Sequence, residues 1–183
     1  VGGSGLRYAG FNGTGWNIET VDSNQAGIYF TSIAIDSMQN IHIAASEFVN
    51  GYTALNLNHA KKNLNSSGGW SMSDVDNNGN VGLSAKIVID SYDNVHIGYI
   101  DFGAASIKLA TQMAGTTNYS ISSIYSGTEL QRIGMDLDSN DDFHFSIIDT
   151  GTNKIRYMNN IGGSWNDSNI GQIITLAKTE LMI

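Results

Sequence analysis

The chain contains no cysteine and no proline. Without thiols there is no disulfide framework, no thiolate metal cluster and no cysteine nucleophile. Proline being absent, the turns fall to Gly, Asn and Ser, which are plentiful, as expected where many short strands meet in tight turns. Charge is also scarce, at 14% of residues, and basic charge is scarcer still: nine Lys and Arg against seventeen Asp and Glu, a net charge of −8. Phosphate recognition needs clustered cations, so nucleic acid and anionic membrane surfaces are set aside as partners. No apolar run approaches the roughly eighteen residues of a membrane span, so no membrane insertion is expected. The opening VGGSG has neither the charged start nor the apolar centre of a signal peptide and reads as a linker, as in a mature or excised piece of something longer.

What the chain does have is a repeat. IAIDSMQNIHI at 33–43, IVIDSYDNVHI at 87–97 and MDLDSNDDFHF at 135–145 are variants of one hairpin: an apolar strand, a turn opening with Asp-Ser, and a second apolar strand with histidine near its start. A third strand follows each time (LNHA at 57–60, IKLA at 107–110, IRYM at 155–158), and LRYA at 6–9 is an earlier copy. Beyond a Gly-rich stretch comes a fourth strand announced by Trp16, Trp70, Tyr119 or Trp165. The turn aspartates Asp36, Asp90 and Asp138 lie 54 and then 48 residues apart. Four strands per unit at that spacing predict an all-β, four-bladed β-propeller with four antiparallel strands per blade.

The 183 residues are expected to form a single domain with blades near 27–80, 81–127 and 128–171. The fourth blade is split between residues 6–26, which supply its third and fourth strands, and 172–183, which supply its first and begin its second. Joining the two ends closes the ring and removes exposed strand edges. Its hairpin is degenerate, because Ala177 stands where the other copies have Asp36, Asp90 and Asp138, and the sequence stops where they have histidine. A closed monomer is the preferred reading. The alternative is half of a larger ring, completed by a second copy of the chain in a homodimer or by lost sequence.

The run S-x-[apolar]-A-[apolar]-D-S-x-x-N-[apolar]-H-[apolar], followed by L-R-Y-A and then G-x-W, resembles the propeller repeats of secreted and cell-surface bacterial and archaeal proteins, loose relatives of Asp-box and propeller-lectin repeats. The likeness runs from Leu6 to Ala177. It implies an extracellular or cell-surface location and an adhesion or sugar-binding role. Tyr119 departs from the expected Trp and Met158 from the expected Ala, and the Asp-box proper, S-x-D-x-G-x-T-W, does not occur.

His42, His96 and His144 each follow the turn aspartate by six residues. Three converging imidazoles would suit zinc, but equivalent positions in different blades are rotated apart, so each histidine is expected to bond to the Asp of its own hairpin. Asp36, Asp90 and Asp138 are read as turn-fixing carboxylates accepting backbone N–H groups. Trp16, Trp70, Tyr119 and Trp165 have two open readings, sugar-stacking platforms or wedges packed between neighbouring blades. Asp74, Asp76 and Asn78 sit in DVDNNG, the opening of a calcium loop, although the twelfth position is Ala85 and the bidentate Glu is missing.

No nucleophile elbow, phosphate loop or HExxH occurs, and the arginines Arg7, Arg132 and Arg156 do not form the cluster of a sialidase-like site. The sequence therefore points to a non-catalytic binding or adhesion module, for glycans or a surface protein. The alternatives are a structural or assembly module and, behind it, a glycan-processing enzyme. No cofactor is expected, calcium being the one candidate.

Overall fold

The computed structural model describes residues 5–23, 27–49 and 54–173. Among these there are fourteen β-strands, one short 3-10 turn and no α-helix. β1 (Leu6–Phe11) and β2 (Trp16–Asp22) form a two-stranded sheet. The other twelve strands form three antiparallel meanders of four. The second sheet holds β3 (Ile28–Ile35), β4 (Asn40–Val49), β5 (Ala54–Asn63) and β6 (Ser71–Asp76). The third holds β7 (Val81–Ile89), β8 (Val95–Asp101), β9 (Ser106–Gln112) and β10 (Ser120–Ser126). The fourth holds β11 (Leu130–Leu137), β12 (Phe143–Asp149), β13 (Lys154–Asn159) and β14 (Asn166–Gln172). Of the closing strand expected at 172–183, residues 174–183 lie outside the described residues.

Each hairpin between the first and second strands is built by its aspartate. In the second sheet Asp36 Oδ1 accepts the backbone N–H groups of Met38 (3.0 Å) and Asn40 (2.8 Å), while Oδ2 accepts the Asn40 amide (2.6 Å). Asp90 repeats all three bonds with Tyr92 and Asn94, and Asp138 Oδ1 repeats the two backbone bonds with Asn140 and Asp142. The fourth turn residue is left-handed each time: Gln39 has φ 64°, Asp93 62° and Asp141 62°. That conformation suits aspartate better than most non-glycine residues, and it aims the carboxylate sideways. Asp93 accepts the N–H and hydroxyl of Ser37 in the preceding sheet (2.9 and 2.5 Å), and Asp141 accepts the same two groups of Ser91 (3.0 and 2.5 Å).

Successive sheets bury their faces against one another in chain order. Leu6 and Val21 of the first sheet pack on Ile41, Ile43, Ala45 and Ala60 of the second. Ala44, Leu57 and Val75 of the second meet Val81, Ile87 and Ile97 of the third, and Ile107 and Leu109 of the third meet Ile133, Phe145 and Ile147 of the fourth. A sheet sealed on both faces reads as a continuous apolar run. Accordingly β8, VHIGYID, is buried at every residue. The first strands β3, β7 and β11 run side by side, and the Arg132 guanidinium on β11 lies 5.0 Å from the Phe30 ring centroid on β3. The first strands of the second and fourth sheets are thus brought together although the third sheet stands between them in sequence.

The third and fourth sheets approach closely at Gly98, where a Cβ would lie 2.7 Å from the Met135 sulfur and 2.8 Å from the Phe145 ring. Gly98→Val is therefore expected to destabilise the fold by about 1 to 3 kcal/mol through overpacking, read as a lower urea midpoint. A midpoint unchanged from wild type would mean that these two sheets are not in contact at that point.

Candidate functional site

Each hairpin aspartate also reaches the histidine six residues on. Asp36 Oδ2 lies 3.1 Å from His42 Nε2, Asp90 Oδ2 lies 3.0 Å from His96 Nε2, and Asp138 Oδ2 lies 3.6 Å from His144 Nε2. The other ring nitrogen finds a different partner in each sheet. His96 Nδ1 meets the Thr111 hydroxyl at 2.9 Å and His144 Nδ1 the Tyr157 hydroxyl at 2.6 Å. His42 Nδ1 meets another imidazole, His59 Nε2, at 3.0 Å, the two rings stacked 5° from parallel.

The chain of contacts does not end at His59. Its Nδ1 lies 2.6 Å from the hydroxyl of Tyr119, which belongs to the third sheet. Asp36, His42, His59 and Tyr119 thus form one hydrogen-bonded line across the junction between two sheets. With Asp36 ionised and both imidazoles neutral, a single proton arrangement satisfies all three bonds: Tyr119 O–H donates to His59 Nδ1, His59 Nε2–H to His42 Nδ1, and His42 Nε2–H to the carboxylate. Electrostatics favours this state. Burial pushes His59 down to about 3, assisted by His42 and Lys61, and burial lowers His42 as well, against the pull of Asp36. Burial by itself would raise Asp36, but the bonds from Asn40 and His42 hold it below its ordinary value. Tyr119 is raised by burial and stays a donor.

Beside this line the second and third sheets part to leave a cleft of about 530 Å³. His59 and Lys61 on β5 enter its lining, as do Met72 on β6, Met38 in the first hairpin, and Gln112 with Met113 at the end of β9. Asp36 and Asp93 also border it, but their oxygens are held by the turn and by Ser37. Among the described residues that line it, the Lys61 ammonium, the Gln112 amide and the Thr117 hydroxyl form no hydrogen bond or ion pair, so they are the side-chain donors open to a ligand. The wall is therefore thioether and imidazole, with one cation, one amide and one free hydroxyl beside them. Such a lining suits a small hydroxylated molecule with an apolar face.

The aromatic positions are mostly built into the junctions. Trp70 packs on Tyr8 of the first sheet at 5.5 Å and donates its indole N–H to Glu19 (3.2 Å), which also pairs with Lys62. Tyr119 bonds to His59, and Trp165 packs on Phe143 and Phe145 at 6.0 and 5.8 Å. Trp16 differs: it is 69% exposed and touches Phe11 at 5.5 Å. Of the calcium-loop residues, Asp74 and Asp76 lie on β6 and Asn78 in the turn beyond it. Asp76 accepts the Tyr99 hydroxyl (2.7 Å) and the Asn78 N–H and pairs with Lys108 (3.2 Å), a polar link from the second sheet to the third. No group of three or more His, Cys, Asp or Glu suited to a metal occurs among the described residues.

His59 is the residue that repeat reasoning passed over. It occupies the third-strand position held by Tyr8, Leu109 and Tyr157, and it is the one histidine outside the Asp-Ser hairpins. Tyr119 stands where Trp was expected. The two departures from the repeat meet at one hydrogen bond.

Two outcomes follow. Between an ordinary histidine value of 6.5 and about 3, the unfolded chain binds a proton that folded His59 does not. Stability from this group is therefore complete above the unfolded value and lost as pH falls, by on the order of 2 kcal/mol at pH 5. His59→Gln should flatten the decline in urea midpoint between pH 7 and pH 5, and an equally steep decline would show that His59 is not buried neutral. Calcium should leave the melting temperature unchanged, since Asp76 is already paired with Lys108; a rise on adding calcium that Asp74→Ala abolishes would assign that turn to the metal.

No protein-family model matches the chain, and no curated protein matches it. Among solved structures, the chain is similar to a fucose lectin from Kordia zhangzhouensis in complex with methyl-fucoside. The two are 15% identical with a TM-score of 0.51, over 78% of this chain and 99% of the lectin. The polysaccharide lyase Uly1 aligns at 10% identity and a TM-score of 0.44, over 83% of this chain and 29% of the lyase. At such identities the first likeness is one of fold, and the second is too loose to carry an argument.

Proposed function

We propose that this chain is a non-catalytic glycan-binding module of the extracellular space or cell surface, an array of four propeller blades by architecture, with its sugar site in the cleft between the second and third sheets. The observation that carries this reading is the coincidence of asymmetry and space: the junction where His59 and Tyr119 break the repeat is the junction that leaves about 530 Å³ open. A binding site has to differ from its structural repeats, because identical junctions offer identical closed cores. The lining adds to this, with hydroxyl-seeking donors on Lys61 and Gln112 set against the thioethers of Met38, Met72 and Met113. Propeller architecture is favoured by the gathering of β3, β7 and β11, which Arg132 and Phe30 bridge, and lectin function by the shared fold with a fucose lectin.

Methyl fucoside is the first probe, followed by a glycan array. The expected dissociation constant is on the order of millimolar for one monosaccharide. Lys61→Ala or Gln112→Ala should weaken binding about tenfold, the loss of one or two hydrogen bonds, with the melting temperature kept. Silence across the array, or binding indifferent to both substitutions, would remove the cleft from consideration as a glycan site.

A further inference from the structure

Every junction between sheets has the same direction. The sheet that comes later in the chain presents the aromatic that precedes its fourth strand, and the earlier sheet presents the equivalent side chain of its third strand, which is Tyr8, His59 or Leu109. Trp70 on Tyr8 and Tyr119 on His59 are two such contacts. Trp165 belongs to the same apolar cluster as Leu109, the corresponding residue of the third sheet. One aromatic and one seat are left over, at opposite ends of the series.

The unused aromatic is Trp16. In the register of the first sheet Phe11 pairs with Trp16 and Ala9 with Ile18, so these side chains share one face of the ribbon. That face lies opposite Leu6, Tyr8 and Val21, which are turned to the second sheet. Phe11 is 61% exposed, Trp16 69% and Ile18 61%. The half-buried Trp70, Tyr119 and Trp165 show what this position does when it has a partner. The unused seat is on the fourth sheet. Tyr157 stands at the position of Tyr8 and His59, and with His144 and Ser146 it lines an open hollow of about 270 Å³. This is the face that corresponds, residue for residue, to the one the second sheet buries against the third. Ser146 is exposed there, and its counterpart Ala44 is fully buried.

We propose that a second copy of this chain fills the gap, the Phe11, Trp16 and Ile18 face of one molecule seating on the Tyr157 hollow of the next. The interface is a repetition of contacts that the chain already makes within itself, between surfaces of matching kind, a knob of three apolar side chains and an empty aromatic seat. Because the two patches differ, the contact is heterologous, and it closes into a ring or extends according to the rotation between copies. The chain's own fourth sheet does not take this place, since Trp16 is largely exposed in the folded monomer. The proposal is independent of the sugar site, which lies at the junction between the second and third sheets.

Sedimentation from low micromolar to several hundred micromolar tests it, with tryptophan emission recorded alongside. The expected result is reversible association with a blue shift on assembly. Trp16→Ser should weaken association about tenfold or more, as for an aromatic anchor, while far-UV circular dichroism and melting temperature of the dilute protein stay as in wild type. Tyr157→Ala, on the other patch, should do the same, and equimolar Trp16→Ser and Tyr157→Ala should recover a dimer through the one intact pair of faces. A wild-type protein that stays monomeric throughout would overturn the proposal, whether its Trp16 emits as exposed or as buried against its own fourth sheet. So would association untouched by Trp16→Ser.

Discussion

A carboxylate at the end of each first strand is the constraint from which the rest of the structure descends. Asp36, Asp90 and Asp138 each hold two backbone N–H groups of their own turn, and so fix where the second strand begins. They also sit beside the histidine of that second strand, so the orientation of the ring depends on the turn. The ring in turn decides what the third strand has to offer, whether an imidazole, a threonine or a tyrosine. A charge buried in a β-hairpin is costly unless its lone pairs are filled. Here the carboxylate of Asp36 takes four hydrogen bonds, two from Asn40, one from Met38 and one from His42.

The same turn also governs contact between sheets. Asp93 and Asp141, in left-handed backbone, clasp the serine that follows the aspartate of the preceding hairpin. The hairpins are therefore coupled in sequence order, and the apolar faces behind them come into register. Within that regular frame the junction between the second and third sheets is the exception. The third and fourth sheets meet with Phe143 against His96 and Trp165 close by, whereas the second and third meet through a line of four polar groups and leave a cleft beside it. A repeat gives stability through sameness. A single departure from it is where selective binding can be accommodated without loss of the frame.

Much of this was legible in the amino-acid sequence, and the reasons are local. The hairpins follow from apolar alternation around Asp-Ser, and the six-residue interval from Asp36 to His42 is short enough for pairing to be inferred from the turn alone. The third partner was not legible. Whether His42 meets His59, or His96 meets Thr111, depends on the register between second and third strands, and register is set by packing on both faces. The serine clasps were hidden for a similar reason, since they need the left-handed conformation of Asp93 and Asp141, for which the sequence carries no separate mark. The tryptophan positions were located by the repeat, but their environment depends on which sheet lies next to them: Trp70 and Trp165 have a neighbour, and Trp16 is exposed. His59 was visible as a fourth histidine outside the hairpins, a signal that a repeat alignment discounts because it registers likeness and not exception.

The neutral, one-way line from Tyr119 to Asp36 distinguishes the junction between the second and third sheets from the others and borders the cleft through His59 and Asp36. Long-range nitrogen–proton correlation spectra of the histidine rings, at neutral pH and again near pH 5, measure it directly. At neutral pH both His42 and His59 should be found as neutral rings carrying the proton on Nε2, and His59 should be unchanged near pH 5. His59 titrating in that interval, or either ring carrying its proton on Nδ1 at neutral pH, would contradict the arrangement.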